Sequence, residues 1–351
     1  MRRRLLLLPL VASLGLASVA PAAPPEAALE IDALLYLGPA LQLENVSLWP
    51  VYSREPSDPL GAALVPLPEA QEQGWAVVRE RGGQGDAVDE LVLENRGERP
   101  ILVLAGTLVK GGRQDRQIGQ DFIVPARKTV PVAAFCVEHG RWTAEREGQA
   151  TGGLFKAQKA LATKAVRSSG QYKGDQGEVW SQVAKENARA GKAPASGTLL
   201  AALEDADEAS QRRRARILAA ATERLAALAG EPRAPLGLAY AVDGKVREVR
   251  VFNHPALFQR VAETLLRTVA LEADLAQREA QAAGRAIHTA PADPRQVAAL
   301  VQRVARLQAE ESHNKAGNVV RERKDGAVWN TDCASQDDPA RPATRSFMFA
   351  E

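Results

Sequence analysis

Apolar and polar positions alternate in a series of runs between residues 41 and 137, the period of half-buried strands. Residues 41–52 read as a strand, with Pro50 marking an edge or a bulge. A short helix is expected over 66–74, with Pro68 at its start and Gly74 at its end. Strand character resumes at 75–80, and 82–86 reads as a turn. Residues 90–94 and 100–105, joined through Asn95-Arg96-Gly97-Glu98, carry a hairpin signal. The runs 118–124 and 129–137 extend the same antiparallel sheet.

After Trp142 the pattern changes. Residues 148–153 form a polar, glycine-rich hinge, and the chain then turns alanine-rich with helical spacing. Helices are expected over 154–166, 178–189, from a Ser196 cap through 202, and over 208–229 with Gly230 and Pro232 as the stop. Asp243-Gly244 signals a type I′ hairpin between 236–242 and 245–252. Pro255 and Pro294 each open a helix, the first burying Leu257, Phe258, Val261, Leu265 and Val269, the second Val297, Val301 and Val304. Residues 318–328 and 346–349 read as short strand or loop. The predicted fold class is α+β. An antiparallel β-rich half (41–147) packs with a mainly helical half (148–351) as one integrated domain.

The first residues change where this fold is expected to work. Arg2, Arg3 and Arg4 precede an apolar run from Leu5 to Leu16, and Ala20-Pro21-Ala22 fits a small-residue cleavage site. Residues 1–22 therefore read as a secretory signal peptide, too short to span a membrane, followed by a flexible leader over 23–40. The mature protein is expected outside the cytoplasm, periplasmic or extracellular, without stable membrane insertion. In that compartment Cys136 and Cys333, the two cysteines, can form a disulfide or stay separate thiols. A formal charge of +2 argues against a nucleic-acid surface. Four scattered histidines without ligand spacing give no metal site, and no cofactor motif is present.

The densest chemistry lies between Gly106 and Trp142. Gly111 and Gly112 permit positive φ at successive residues, so backbone N–H groups can gather around an anion. Lys110, Arg113 and Arg116 supply positive donors to a phosphate or carboxylate, and Gln114 and Asp115 can read hydroxyls or an amide. The plain alternative is a hairpin turn with its charges in solvent. Downstream, Glu138 and Arg141 form an acid/base or orienting pair, or a surface ion pair, and Trp142 offers a stacking platform. Cys136 and His139 would point to opposite faces of a strand, against a nucleophile-and-base pair. Lys156, Lys159, Lys164, Arg167 and Lys173 read as a solvated helix face. Arg212 to Arg216 reads as pairing with the acidic residues just before it, and His254 as a helix cap.

Residues 93–100, the turn Gly111-Gly-Arg-Gln-Asp-Arg116 and Cys136-Val-Glu-His-Gly-Arg-Trp142 together resemble the ADP-ribosylglycohydrolase- and rhodanese-phosphatase-associated protein domain. Gln176 to Trp180 and the stretch from Gly237 into Pro255-Ala-Leu-Phe258 carry the likeness through nearly the whole mature chain. The resemblance implies association with ADP-ribose and phosphate chemistry and carries no established activity. It raises the functional reading of residues 110–116, Glu138, Arg141 and Trp142. The leading expectation is an exported protein that binds a small phosphate- or ADP-ribose-like anion. The alternatives are a hydrolase of such a compound, with Asp115 or Glu138 as acid/base, and a cell-envelope module that binds a protein.

Overall fold

A computed structural model describes residues 28–82, 89–146, 148–204, 207–229 and 234–350. The expected signal peptide and the Gly230/Pro232 helix stop lie outside the described residues. Strands and helices are numbered along the chain.

A ten-stranded antiparallel sheet joins the two ends of the sequence. Its first strands are β1 (Leu29–Glu30), β2 (Leu35–Leu37), β3 (Leu41–Leu43) and β4 (Val46–Ser53). The others are β16 (Gly237–Val242), β17 (Lys245–Phe252), β18 (Glu310–His313), β19 (Val319–Lys324), β20 (Val328–Ala334) and β21 (Pro342–Phe349). Two expectations change here. The leader contributes strands from Leu29 onward, because Ile31, Leu35, Tyr36 and Leu37 are all buried. The second half is less helical than expected, since it supplies six strands to this sheet, including the 318–349 region. The run 41–52 divides into β3 and β4 at Glu44, whose φ is 51°. Pro50 faces the gap between β2 and β3: its carbonyl accepts from Gly38 N–H at 2.9 Å, so its donor-less nitrogen points to the same open side. The Asp243-Gly244 hairpin forms, with φ of 53° and 75°.

Between those ends the chain forms a closed six-stranded barrel in the order β10-β12-β7-β6-β15-β9. Its strands are β6 (Ala76–Glu80), β7 (Glu90–Asn95), β9 (Thr107–Gly111), β10 (Arg116–Ile118), β12 (Thr129–Cys136) and β15 (Leu154–Leu161). A three-stranded sheet of β5 (Val65–Pro66), β8 (Ile101–Val103) and β11 (Phe122–Val124) packs with it, and β13 (Glu145–Arg146) pairs with β14 (Gln149–Ala150). The 90–105 hairpin is not made. The Asn95 side-chain amide donates to the carbonyls of Arg99, Val124 and Pro125, and this loop carries β8 into the other sheet.

The helix expected over 154–166 is likewise a strand for most of its length. Phe155 and Ala157 are buried while Leu154 and Lys156 are exposed, a period of two, and β6 and β9 take up the backbone on either side. Closing the barrel outweighs the helix propensity of Ala and Lys.

The helices are α1 (Pro59–Ala63), α2 (Leu67–Glu72), α3 (Lys164–Gln171), α4 (Gln176–Arg189), α5 (Leu200–Leu203), α6 (Glu208–Ala229), α7 (Pro255–Ala282) and α8 (Pro294–Ala305). His254 caps α7 as expected, its Nδ1 accepting from Ala256 N–H at 3.0 Å. The apolar stripe of α7 packs Leu257, Val261, Leu265 and Val269 against Leu238 and Tyr240 of the large sheet and against Leu161 of the barrel. Barrel and sheet thus share one core.

A chain of buried charge also crosses that junction. Arg167 on α3 forks onto both Glu248 oxygens at 3.0 and 2.6 Å. Arg250 reaches Glu248 at 3.1 Å and Asp121 at 3.2 Å, and Asp121 accepts from Ala105 N–H and Thr344. The expected solvated face therefore fails for Arg167 and for Lys164, whose ammonium donates to the Phe349 carbonyl. Arg213, Arg214 and Arg216 depart from local pairing too, turning to Glu44 and Asp274, while Arg212 keeps Glu208.

Candidate functional site

The hairpin between β9 and β10 brings both halves of the predicted site together. Gly111 and Gly112 have φ of 142° and 48°, so both positive-φ positions are used. A Cβ on Gly111 would overlap the Leu154 carbonyl, and one on Gly112 the Phe155 ring.

The expected ring of donors exists, but the protein's own acceptors fill it. Gly111 N–H donates to Asp115 at 3.0 Å, Arg113 N–H to Glu80 at 2.6 Å and Asp115 N–H to Glu138 at 2.9 Å. Gly112 N–H goes to the Leu154 carbonyl at 3.0 Å. Three internal carboxylates occupy the places an external anion would take.

Arg141 is consumed in the same way. Its Nε and Nη2 fork onto Glu138 at 3.0 and 2.7 Å, Nη1 donates to Gly112 and Thr143 carbonyls at 2.8 and 3.0 Å, and Nη2 also reaches the Gly111 carbonyl at 3.1 Å. A guanidinium has five N–H donors, so none is left for a ligand. Gly111, Gly112 and Arg141, expected as ligand contacts, form an internal brace.

The two candidate acids are equally engaged. Asp115 is wholly buried and accepts from Arg146 at 2.6 and 2.7 Å and from Thr198 at 2.7 Å. Burial pushes the Glu138 carboxyl upward, but hydrogen bonds from Arg141, the Asp115 N–H and Ser196 outweigh it and hold the pKa below its ordinary value. Glu138 stays ionised, with its oxygens held by donors, which removes the basis for its use as a general acid. Arg146, Thr198, Ser196 and Glu80 were not legible as site residues. Their partners lie up to 83 positions away, and only the folded chain brings them in.

What stays open is a rim around Trp142. That ring is half exposed, and the guanidinium carbons of Arg113 and Arg116 each lie 5.8 Å from its centroid. Arg116 is only 3 % exposed yet makes no ion pair with a described carboxylate. Its Nη1 reaches Gln114 Oε1 at 3.1 Å and contacts the Cys136 thiol, while the buried Nε has no partner. Burial drives its pKa down from the usual guanidinium range. Lys110 turns away to Glu204 at 2.7 Å. Gln114 is buried against the His139 carbonyl.

The cysteines are both buried free thiols, Cys136 in the barrel and Cys333 in the large sheet, so the disulfide is not made. Burial raises the pKa of both thiols, which keeps Cys136 protonated. His139 packs edge-on against Trp180 with ring centroids 4.5 Å apart. Gln176 on α4 pairs with both the N–H and the carbonyl of Cys136 at 2.8 Å.

The family model of the ARG and Rhodanese-Phosphatase-superfamily-associated Protein domain matches residues 35–337. The chain belongs to this family. No curated protein and no solved structure matches it. The matched span of this ARG and Rhodanese-Phosphatase-superfamily-associated chain takes in the barrel, the brace, the rim and most of the large sheet.

The brace makes an acid-stability prediction. A carboxylate whose folded pKa lies below its unfolded value contributes fully at neutral pH and loses that contribution as pH falls through the folded value. Glu138 should therefore weaken the fold below the unfolded carboxylate range of about 4.3. In urea unfolding between that range and strong acid, Glu138→Gln should flatten the pH slope by up to about 1.4 kcal/mol per pH unit. An unchanged slope would mean that Glu138 is not held ionised by the brace.

Proposed function

We propose that this protein is an exported binding protein whose Arg113–Arg116–Trp142 rim holds a small anionic ligand of the phosphate or ADP-ribose-like class. The observation that carries this reading is Arg116, a buried cation that makes no direct ion pair with a described carboxylate, has Glu80 and Glu138 only as more distant charges, and keeps an unpaired Nε. Burying a charge without a direct counter-ion is costly, and a bound anion would lower that cost. Trp142 offers its exposed ring to the planar part of a nucleotide-like ligand, and the two arginines supply forked donors to its acidic part. Hydrolysis by Asp115 or Glu138 is not favoured, because Glu138 is held ionised and the oxygens of both are occupied by donors of the brace. Among the described residues no helix is long and apolar enough to cross a membrane.

A second reading is supported by exposed apolar surface. Trp142 at 50 % and Leu154 at 53 % exposure both belong to the segments around the Gly111-Gly112 turn, a pattern that suits a protein partner. A thermal-shift screen of residues 23–351 with ADP-ribose, nucleotides, sugar phosphates and inorganic phosphate separates the two. A ligand at a hundredfold excess over its Kd should add about 2.7 kcal/mol of stability, and Arg116→Gln should abolish the shift. No shift with any of these anions would reject the small-ligand reading and leave the partner surface.

A further inference from the structure

A groove of about 480 Å³ lies at one end of the large sheet, away from the barrel hairpin. That is within the size range of small-molecule sites. Register builds its floor. Arg321 on β19 stands opposite Asp332 on β20, which stands opposite Arg345 on β21, so the three share one face. Arg323, two residues beyond Arg321, lies on that face as well. Arg341 enters from the turn before β21, and Leu34, Leu35 and Pro342 form an apolar border.

Three of the four arginines have carboxylate partners, Arg321 with Glu311, Arg323 with Asp332 and Arg345 with Asp332 and Asp32, yet several of their N–H groups are left over. Asp332 accepts from Arg323 at 3.0 Å and from Arg345 at only 3.4 Å, and it also takes an amide donor from Asn330. Arg321 donates through Nε to Glu311 and through Nη1 to the Pro339 carbonyl. The Nη2 groups of Arg321, Arg323 and Arg345 donate to no described residue. Arg323 Nε is buried without a partner, and exposed Arg341 has no side-chain partner among the described residues. Glu55 and Asp58 also line the groove, with Asp58 committed to the α1 cap and to Asn253. Arg345 also leans 3.5 Å from Asp32 and lies over the Phe347 ring, which holds its plane.

We infer that this groove is a second ligand site, built for a small organic dianion with an apolar portion. Surplus guanidinium N–H groups on adjacent strands would fork onto its acidic oxygens, and the apolar part would rest against Leu34, Leu35 and Pro342. Arginines fixed by a sheet lose little freedom on binding, which favours a preformed site. Asp332 positions Arg323 and Arg345 and would not touch the ligand.

The test is isothermal titration with phenyl phosphate, succinate and inorganic phosphate on residues 23–351. Phenyl phosphate is expected to bind more tightly than inorganic phosphate, because it alone of the two offers the apolar face. Arg341→Ala and Arg323→Gln should each weaken that binding about tenfold or more, and Arg212→Ala, on the exposed face of α6, should leave it unchanged. The Arg341 side chain is exposed and has no partner among the described residues, so Arg341→Ala keeps the fold and decides the matter even if Arg323→Gln does not fold. No binding at millimolar ligand, or binding that Arg341→Ala leaves intact, overturns the site. Binding lost in Arg116→Gln and retained in Arg341→Ala would place the ligand on the barrel rim instead.

Discussion

Glu248→Gln should cost the folded protein about 3–5 kcal/mol, close to the whole stability of many domains. Glu248 is the one carboxylate between two fully buried arginines: Arg167 forks onto both of its oxygens, and Arg250 reaches the same group at 3.1 Å. A neutral amide in its place leaves two guanidiniums facing each other, with Asp121 in contact only with Arg250. The arginines hold the Glu248 pKa down to about 2 despite the upward push of burial. Its contribution is therefore present above the unfolded carboxylate range and vanishes only as pH falls through about 2. Urea unfolding at neutral pH checks the size. Replacing Arg167 by Met and Glu248 by Leu together should cost less than Glu248→Gln alone, because the Arg250–Asp121 pair stays neutral and no lone charge is left. A loss below about 1 kcal/mol for Glu248→Gln would show that water enters this junction and screens it.

The same network shows where sequence reading stops. Lys164 and Arg167 lie in a basic, alanine-rich run whose local pattern fits a solvated helix. Nothing in that pattern encodes Glu248, 81 residues on. What local pattern did specify was local in cause: the positive-φ turn at Asp243-Gly244, the His254 cap, the Pro-led starts of α7 and α8, and the alternating strands β6 and β12. Pairing partners were another matter. The run 90–94 has a sound strand pattern, yet Asn95 steers the chain away from the neighbour that a short loop suggests. At the candidate site, residue types and the positive-φ turn were legible, because glycine and arginine spacing reports backbone geometry and donor supply. The assignment of those donors was not. Glu80, Arg146 and Thr198 arrive from three other segments and decide that most of the cluster is brace and little of it rim.

Arg141→Ala tests that division, and its expected cost is also about 3–5 kcal/mol. The substitution strips Glu138 of its forked partner and leaves the carbonyls of Gly111 and Gly112 without their guanidinium donor. Glu138 is 1 % exposed, so water cannot readily replace what is lost. Arg146 lies 3.8 Å from Glu138, but its Nη1 is held by both Asp115 oxygens, so it compensates only in part. Arg141→Lys should rescue little, since an ammonium has three donors and no planar fork to span a carboxylate and two carbonyls. Arg113→Ala is the contrast: its side chain is 39 % exposed and sits 3.5 Å from Glu80, and its loss should cost no more than about 1 kcal/mol. Unfolding curves for the three variants, read beside anion titrations, separate two roles that sequence leaves equivalent. A brace residue moves stability first and affinity only through it, whereas a ligand arm moves affinity and leaves unfolding unchanged. If Arg141→Ala unfolds at the wild-type urea midpoint and has lost an anion that the parent binds, the internal acceptors yield to ligand. The hairpin would then be an anion site that its own carboxylates close when empty.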